Sequence, residues 1–305
     1  MTNLSTSITG IKLKNPTILT SGILGSSASI MLRVANSGVG AVTTKSIGPT
    51  KRSGHKNPVI VETPCGLLNA IGLSCPSLNE SLDELKNLIK NTKVPVIASI
   101  YAKTVDEFAE VAERVSDAKP DFLEINISCP NIENEFGKPF GTDPEISSKI
   151  TEIVKNSTRI PVIVKLTPNV TDIRKIAKVV EDSGADVISA INTYGPGMII
   201  DIETAKPILS NKSGGLSGPA IRPIAVRCVY EIYETVEIPV IGTGGIESGR
   251  DAIEMIMAGA SAVGVGTAVM NYGIDVFAKI CKEIEEFMNE QGYSNIDGII
   301  GRVHG

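Results

Sequence analysis

The sequence predicts a closed (β/α)₈ barrel, and three observations carry that prediction. A short phrase recurs as Val94-Pro-Val-Ile97, Ile160-Pro-Val-Ile163 and Ile238-Pro-Val-Ile241, each time after a polar, helix-like segment. Five further apolar runs, Thr17–Ser21, Val39–Ser46, Asp121–Ser128, Ala185–Asn192 and Ser261–Ala268, bring the strand candidates to eight. Helix-like segments separate them, and strands alternating with helices eight times point to a barrel more than to an open sheet.

Each element has a local reason. Proline is tolerated as the first residue of a strand because its missing N–H falls outside the ladder. The runs are near-continuously apolar, as parallel strands covered on both faces should be. Ser77-x-x-Glu80, Thr104-x-x-Glu107 and Thr142-x-x-Glu145 match the capping box that opens a helix. Leu78, Leu82, Leu85 and Ile89 then follow helical spacing, and Ile173, Ile176, Ala177 and Val180 repeat it. The opening Ile8–Asn15 reads as a hairpin below the barrel. The connections Gly48–Asn79 and Pro130–Asp143 exceed ordinary βα loops and are candidate functional loops. An open Rossmann-like sheet is the runner-up, but no GxGxxG follows an early strand. One domain, 1–305, fits a length at which α/β barrels are common.

Composition narrows the function. The apolar content of 42% supports one large core, and 21% charged residues covers an ordinary soluble surface. A net charge of −5 argues against nucleic acid or an anionic membrane as partner. No stretch approaches the roughly 20 apolar residues of a membrane helix, and the N-terminus lacks a signal layout. Five scattered cysteines suggest a reducing, cytoplasmic setting. Without a CxxC pair, no metal or iron–sulfur site is expected on this chain.

Reactive residues of such barrels gather at the C-terminal strand ends. Here those ends read Ser21-Gly22, Lys45-Ser46, Ser99, Asn126 to Asn131, Lys165, Asn192-Thr193, Gly244-Gly245 and Gly266-Thr267. Two lysines, several amides and two glycine-rich loops suit an anionic ligand with many hydrogen bonds. Glycine lets a backbone approach a phosphate closely, although loop glycines also simply make turns. Lys165 lies in an apolar strand, so it either meets a partner or reaches solvent at the strand end. Lys45 has the same ambiguity among Thr43, Thr44 and Ser46. Cys228 and Cys281 read as small buried hydrophobes on helices, and Cys65 and Cys75 flank Asn69–Leu73. Cys129 follows a strand, precedes a proline and begins a polar loop, so it stands between core filler and reactive thiol.

Taken in order, Thr20-Ser-Gly22, Thr44-Lys-Ser46, Asn69-Ala-Ile-Gly-Leu73, Asn126-Ile-Ser-Cys-Pro-Asn131, Phe140-Gly-Thr-Asp-Pro-Glu145, Val164-Lys-Leu-Thr-Pro-Asn169, Asn192-Thr193, Gly214-Gly-Leu-Ser-Gly-Pro219 and Gly242-Thr-Gly-Gly245 form a set spanning the whole chain. By these motifs the sequence resembles the class 1 dihydroorotate dehydrogenases, and within them the NAD-linked type 1B catalytic subunits. The resemblance implies FMN as cofactor and oxidation of (S)-dihydroorotate to orotate in pyrimidine biosynthesis. It implies that Ser21, Lys45, Ser46, Ser99, Asn126, Lys165, Ile191, Gly218, Gly244, Gly245, Gly266 and Thr267 bind FMN. Lys45, Asn69, Ala70, Ile71, Gly72, Leu73, Asn126, Asn192 and Thr193 would hold substrate. Cys129 would take the proton from ring carbon 5, and Lys165 would stabilise negative charge on the flavin. A thiol titrating near ~8.5 implies activity rising into the alkaline range. Ser99 departs from the family pattern, which has asparagine there.

The loop Ile132–Phe140 and the stretch Gly214–Ile221 resemble type 1B. That type implies a homodimer core joined to a second subunit carrying FAD and a 2Fe–2S cluster, two plus two, with NAD⁺ as final acceptor. The fumarate-linked type 1A enzymes and other FMN barrels, such as dihydropyrimidine dehydrogenase-like or dihydrouridine synthase-like proteins, are the enzymatic alternatives. A non-catalytic flavin- or phosphate-binding barrel is the alternative outside enzymes.

Overall fold

The computed structural model describes residues 2–127 and 139–305. Eight parallel strands close into a barrel: β1 (Thr17–Leu19), β2 (Ala41–Thr43), β3 (Val96–Ile100), β4 (Phe122–Asn126), β5 (Val162–Leu166), β6 (Val187–Ala190), β7 (Val240–Thr243) and β8 (Ala260–Val265). Each pairs with its neighbours in sequence, and β8 pairs with β1. All eight fall within or beside the predicted runs. The longer predictions overreach because the chain leaves the ladder at both ends; β2, expected over Val39–Ser46, keeps only Ala41–Thr43.

Helices α1 (Ala28–Ala35), α2 (Leu78–Asn91), α3 (Val105–Ser116), α4 (Pro144–Ser157), α5 (Ile173–Asp182), α6 (Arg222–Tyr233), α7 (Gly249–Met257), α8 (Ala268–Tyr272) and α9 (Val276–Gln291) complete the alternation. Ile173, Ile176, Ala177 and Val180 of α5 are buried as predicted; on α2 Leu82 and Leu85 are buried, Leu78 and Ile89 pack half-buried at the edges of the stripe, and Leu88, not expected, is buried with them. The capping signals divide. Ser77 and Glu80 form the reciprocal box at α2. At α3, Thr104 accepts from the Glu107 amide, while the Glu107 carboxylate accepts from Lys103 N–H instead. At α4 the expected cap is wrong by one residue: Asp143 caps, accepting from the amides of Glu145 and Ile146, and Thr142 belongs to a preceding 3₁₀ turn. Pro144 fixes this, because proline favours the first helical position and sets the residue before it as the cap.

The N-terminal hairpin is also shifted from its expected Ile8–Asn15. It pairs Thr6–Ile8 with Ile11–Leu13 around Thr9-Gly10, both at positive φ. Ile8 and Leu13 are almost fully buried against Ile18, Ala41, Ile97, Phe122, Ile163, Val187, Ile241 and Ala262, one inward residue from each barrel strand. The hairpin therefore plugs the N-terminal end, and each such side chain contributes roughly 1.5–3 kcal/mol.

The opposite end carries a second, unforeseen sheet. Strands Ile60–Thr63, Gly66–Asn69, Gly214–Ser217 and Tyr194–Gly197 pair antiparallel in that order. The first two come from the long connection predicted to be functional. The others come from the β6–α6 connection.

Candidate functional site

Strand alternation decides what faces the barrel axis. In β4, Phe122 joins the plug cluster while Leu123 and Ile125 pack outward against the helices, so Glu124 and Asn126 face inward. The same argument turns Lys165 of β5 inward above Ile163. Between these polar inner positions and the capping sheet lies a cleft of about 1000 Å³, its mouth included.

Twelve of the expected residues line it: Ser21, Asn69, Ile71, Lys165, Ile191, Asn192, Thr193, Gly218, Gly244, Gly245, Gly266 and Thr267. Lys165 is only 6% exposed and its ammonium has no hydrogen-bond or ion-pair partner among the described residues. A buried cation without a partner is costly and calls for an anionic ligand. The ambiguity read from the sequence is thereby resolved against a solvent-reaching lysine.

Ser46, Ser99 and Asn126 are joined by hydrogen bonds at the ends of β2, β3 and β4, and Ser46 also lines a narrower adjoining cleft. Ser46 Oγ shares hydrogen bonds with Ser99 Oγ at 2.9 Å and Ser21 Oγ at 3.3 Å, and accepts one from Asn126 Nδ2 at 3.1 Å. Four strand ends are thus tied together by side chains. Lys45 is half-buried and lines a narrower adjoining cleft with Gly25, Cys75 and Glu84. Burial pushes its ammonium below the ordinary lysine range, with Cys75 opposing weakly. In the Asn69–Leu73 segment, Asn69 Nδ2 donates to Gly215 O, Ala70 is fully buried, and Gly72 and Leu73 both take positive φ.

The glycines of the loop after β7 and of the β6–α6 connection have positive φ and no room for a side chain. Gly244 and Gly245 lie at φ +142° and +71°, and an added Cβ would stand 2.6 Å from Ala225 Cβ and 2.8 Å from Gly218 O. Gly218, φ +98°, would meet Gly66 Cα at 2.7 Å. Arg222 binds Asp251 and, at 3.3 Å, Glu254, fixing α6 against α7 beside these loops. Residues not anticipated also line the cleft. Thr243 and Glu247 flank the glycines, and Ser217 accepts from Thr267 Oγ1 at 3.0 Å. Asn169 joins β5 to the capping sheet by donating to Thr193 O and accepting from Gly195 N–H; its place in the Val164–Asn169 motif was the available signal. Cys129, Asn131 and residues 132–138 of the second predicted loop lie outside the described residues.

Fold and cleft together define a barrel protein with a capped small-molecule site over its C-terminal strand ends, where such barrels bind their ligands. The chain belongs to the dihydroorotate dehydrogenase family, whose model matches residues 3–288. It is 51% identical over 298 residues to the dihydroorotate dehydrogenase B (NAD(+)) catalytic subunit of Methanosarcina mazei, covering 97% of this chain and 94% of that one. The subunit of the same name from Methanothermobacter thermautotrophicus is 48% identical, with 99% and 98% covered. A crystal structure of the Eimeria tenella dihydroorotate dehydrogenase with ferulenol superposes with a TM-score of 0.85 at 24% identity, covering 99% of this chain and 89% of that one, a likeness of fold. Among the described residues no helix is long and apolar enough to cross a membrane.

Proposed function

We propose that this chain is the catalytic subunit of an NAD-linked dihydroorotate dehydrogenase, a single FMN-binding barrel domain over 1–305 that oxidises dihydroorotate to orotate. The observation that carries the reading is Lys165, a buried cation without a partner among the described residues, facing a cleft whose rim holds Gly218, Gly244 and Gly245. FMN suits that donor set: a phosphate for the glycine loops and a ring system able to carry negative charge beside the lysine. When bound, FMN supplies a two-electron acceptor for the substrate's ring carbon 6.

The chain's own residues do the rest. Ser21, Ser46, Ser99 and Asn126 form the hydrogen-bonded wall on one side, with Ile191, Gly266 and Thr267 completing the cofactor contacts. Lys45, the Asn69–Leu73 segment, Asn126, Asn192 and Thr193 are assigned to the carboxylate and amide edges of the substrate. The capping sheet excludes water from the cleft. Cys129 takes the proton from ring carbon 5 and Lys165 opposes the charge that develops on the other face of the reaction. A homodimer core joined to a subunit with FAD and 2Fe–2S passes electrons to NAD⁺, in the cytoplasm.

The test is anaerobic titration of the purified protein with dihydroorotate. A yellow protein bleached by dihydroorotate but not by dihydrouracil supports the assignment; a colourless protein overturns it. Cys129→Ala is expected to retain FMN and lose most turnover, and wild-type flavin reduction in that variant removes the base assignment. Fumarate reduction by the chain alone would place it in the type 1A class.

A further inference from the structure

Glu124 and Lys165 are the two buried charged side chains among the described residues, at 5% and 6% exposure. They have opposite sign, sit on adjacent strands β4 and β5, and both face the barrel interior. The register pairs Asn126 with Lys165 and Glu124 with Ile163, so the two charges are diagonal neighbours, roughly 8 Å apart at Cα from strand spacing and rise. No ion pair joins them directly, and Glu124 Oε1 is buried without a hydrogen-bond partner. Glu124 lies one inward position closer to the hairpin plug than Asn126, with Ser99 beside it across the β3–β4 ladder. Glu124 has no part in the proposed binding or chemistry.

A buried carboxylate with an orphaned oxygen is tolerated only where something repays it. Among the described residues the compensating group is Lys165, the buried cation on the adjacent strand. We infer that Glu124 is the counter-charge of Lys165: it partly cancels the lysine's field, and so holds down the affinity of the site for negative charge. It acts through Lys165 and touches neither cofactor nor substrate, so it is a positioning residue in the electrostatic sense. The consequence rests on the FMN reading. The reduced cofactor carries more negative charge than the oxidised one, so a lysine left uncompensated favours the reduced state.

The test is the midpoint potential of FMN bound to Glu124→Gln, measured by anaerobic dye equilibration without substrate. At a fixed potential the ratio of reduced to oxidised flavin is expected to rise at least tenfold, an upward shift of about 30 mV for a two-electron couple. In the Lys165→Met background the same substitution is expected to shift nothing, because a buried carboxyl stripped of its counter-ion is neutral and glutamine then removes no charge. A flavin-loaded Glu124→Gln with the wild-type potential overturns the inference, as does an equal shift in both backgrounds. If Glu124→Gln does not accumulate as folded protein, Glu124→Val, which removes the polar group, reads the same potential; failure of both to fold overturns the inference in favour of a structural role. A wild-type protein that takes up no flavin overturns the functional reading itself, a result distinct from all of these.

Discussion

Ser46 and Ser99 share a 2.9 Å hydrogen bond across the ends of β2 and β3, and Ser99 is fully buried. This serine, where the sequence resemblance implied asparagine, is therefore a strut of the cleft wall. Ser99→Ala removes one buried partner and is expected to cost about 1 kcal/mol of stability. Ser99→Asn inserts extra atoms where no surface is exposed and is expected to cost roughly 1–3 kcal/mol by overpacking. Urea denaturation measures both. An asparagine variant as stable as wild type, with tighter FMN, would show that the wall has room for asparagine.

Gly245 combines a positive φ of +71° with a crowded Cβ position, 2.8 Å from both Arg222 Cβ and Gly218 O. Gly245→Ala is expected to lose about 1–3 kcal/mol and to weaken FMN retention at least tenfold, read by flavin release on dilution. Gly273 is the control. Its φ is +66° but nothing lies within 4 Å of its Cβ position, so Gly273→Ala should carry only the backbone cost and leave flavin retention unchanged. Equal flavin loss in both variants would mean that backbone strain, and not the close approach, sets affinity.

Lys45 gives a pH signature. Burial lowers its folded-state pKa below 10.5. Between that lowered value and 10.5 the unfolded chain holds the extra proton, so stability rises with pH through that window. The penalty is fully present at neutral pH and relieved as the solution approaches pH 10.5. Lys45→Met removes it. The variant without ligand should be more stable than wild type at pH 7, with the gap closing in the alkaline range; a gap that widens with pH would contradict a desolvated lysine.

The barrel was legible because its signals are local. Three Pro-Val-Ile phrases and the stripes on α2 and α5 act over a few residues, and all the matching strands and helices formed. The capping sheet was not legible, for two physical reasons. Gly214–Ser217 reads Gly-Gly-Leu-Ser, with little intrinsic strand preference. Its ladder partners are far away in sequence, Leu216 lying opposite Leu68. Most of the site was visible as a ring of polar strand ends, since the barrel topology fixes which end is reactive. Which polar groups also brace one another depends on tertiary packing, as the hydrogen bonds among Ser46, Ser99 and Asn126 show. Glu124 gave no separate signal in the sequence, because its burial depends on strand alternation inside a closed barrel.

The cysteines should separate sharply by reactivity. Burial pushes the Cys228 and Cys281 thiols up to about 11, while Cys65 is exposed. The thiolate is the reacting form, so at pH 8 iodoacetamide should modify Cys65 rapidly, Cys281, which is only half-buried and not the core filler its sequence suggested, slowly, and Cys228 only when the fold opens. Stability carries the same information. With folded-state values above the ordinary 9.0, the native protein holds more protons than the unfolded chain between pH 9 and 11, so these two thiols lower stability as pH rises through that range. The sign is opposite to that of Lys45, and substitution separates the two effects. Cys228→Ala with Cys281→Ala should flatten the decline above pH 9 relative to wild type, whatever the cavities cost at neutral pH. Peptide mapping after brief alkylation is the direct check: prompt labelling of Cys228 in the folded protein at pH 8 would mean that α6 opens far more readily than its buried apolar face implies.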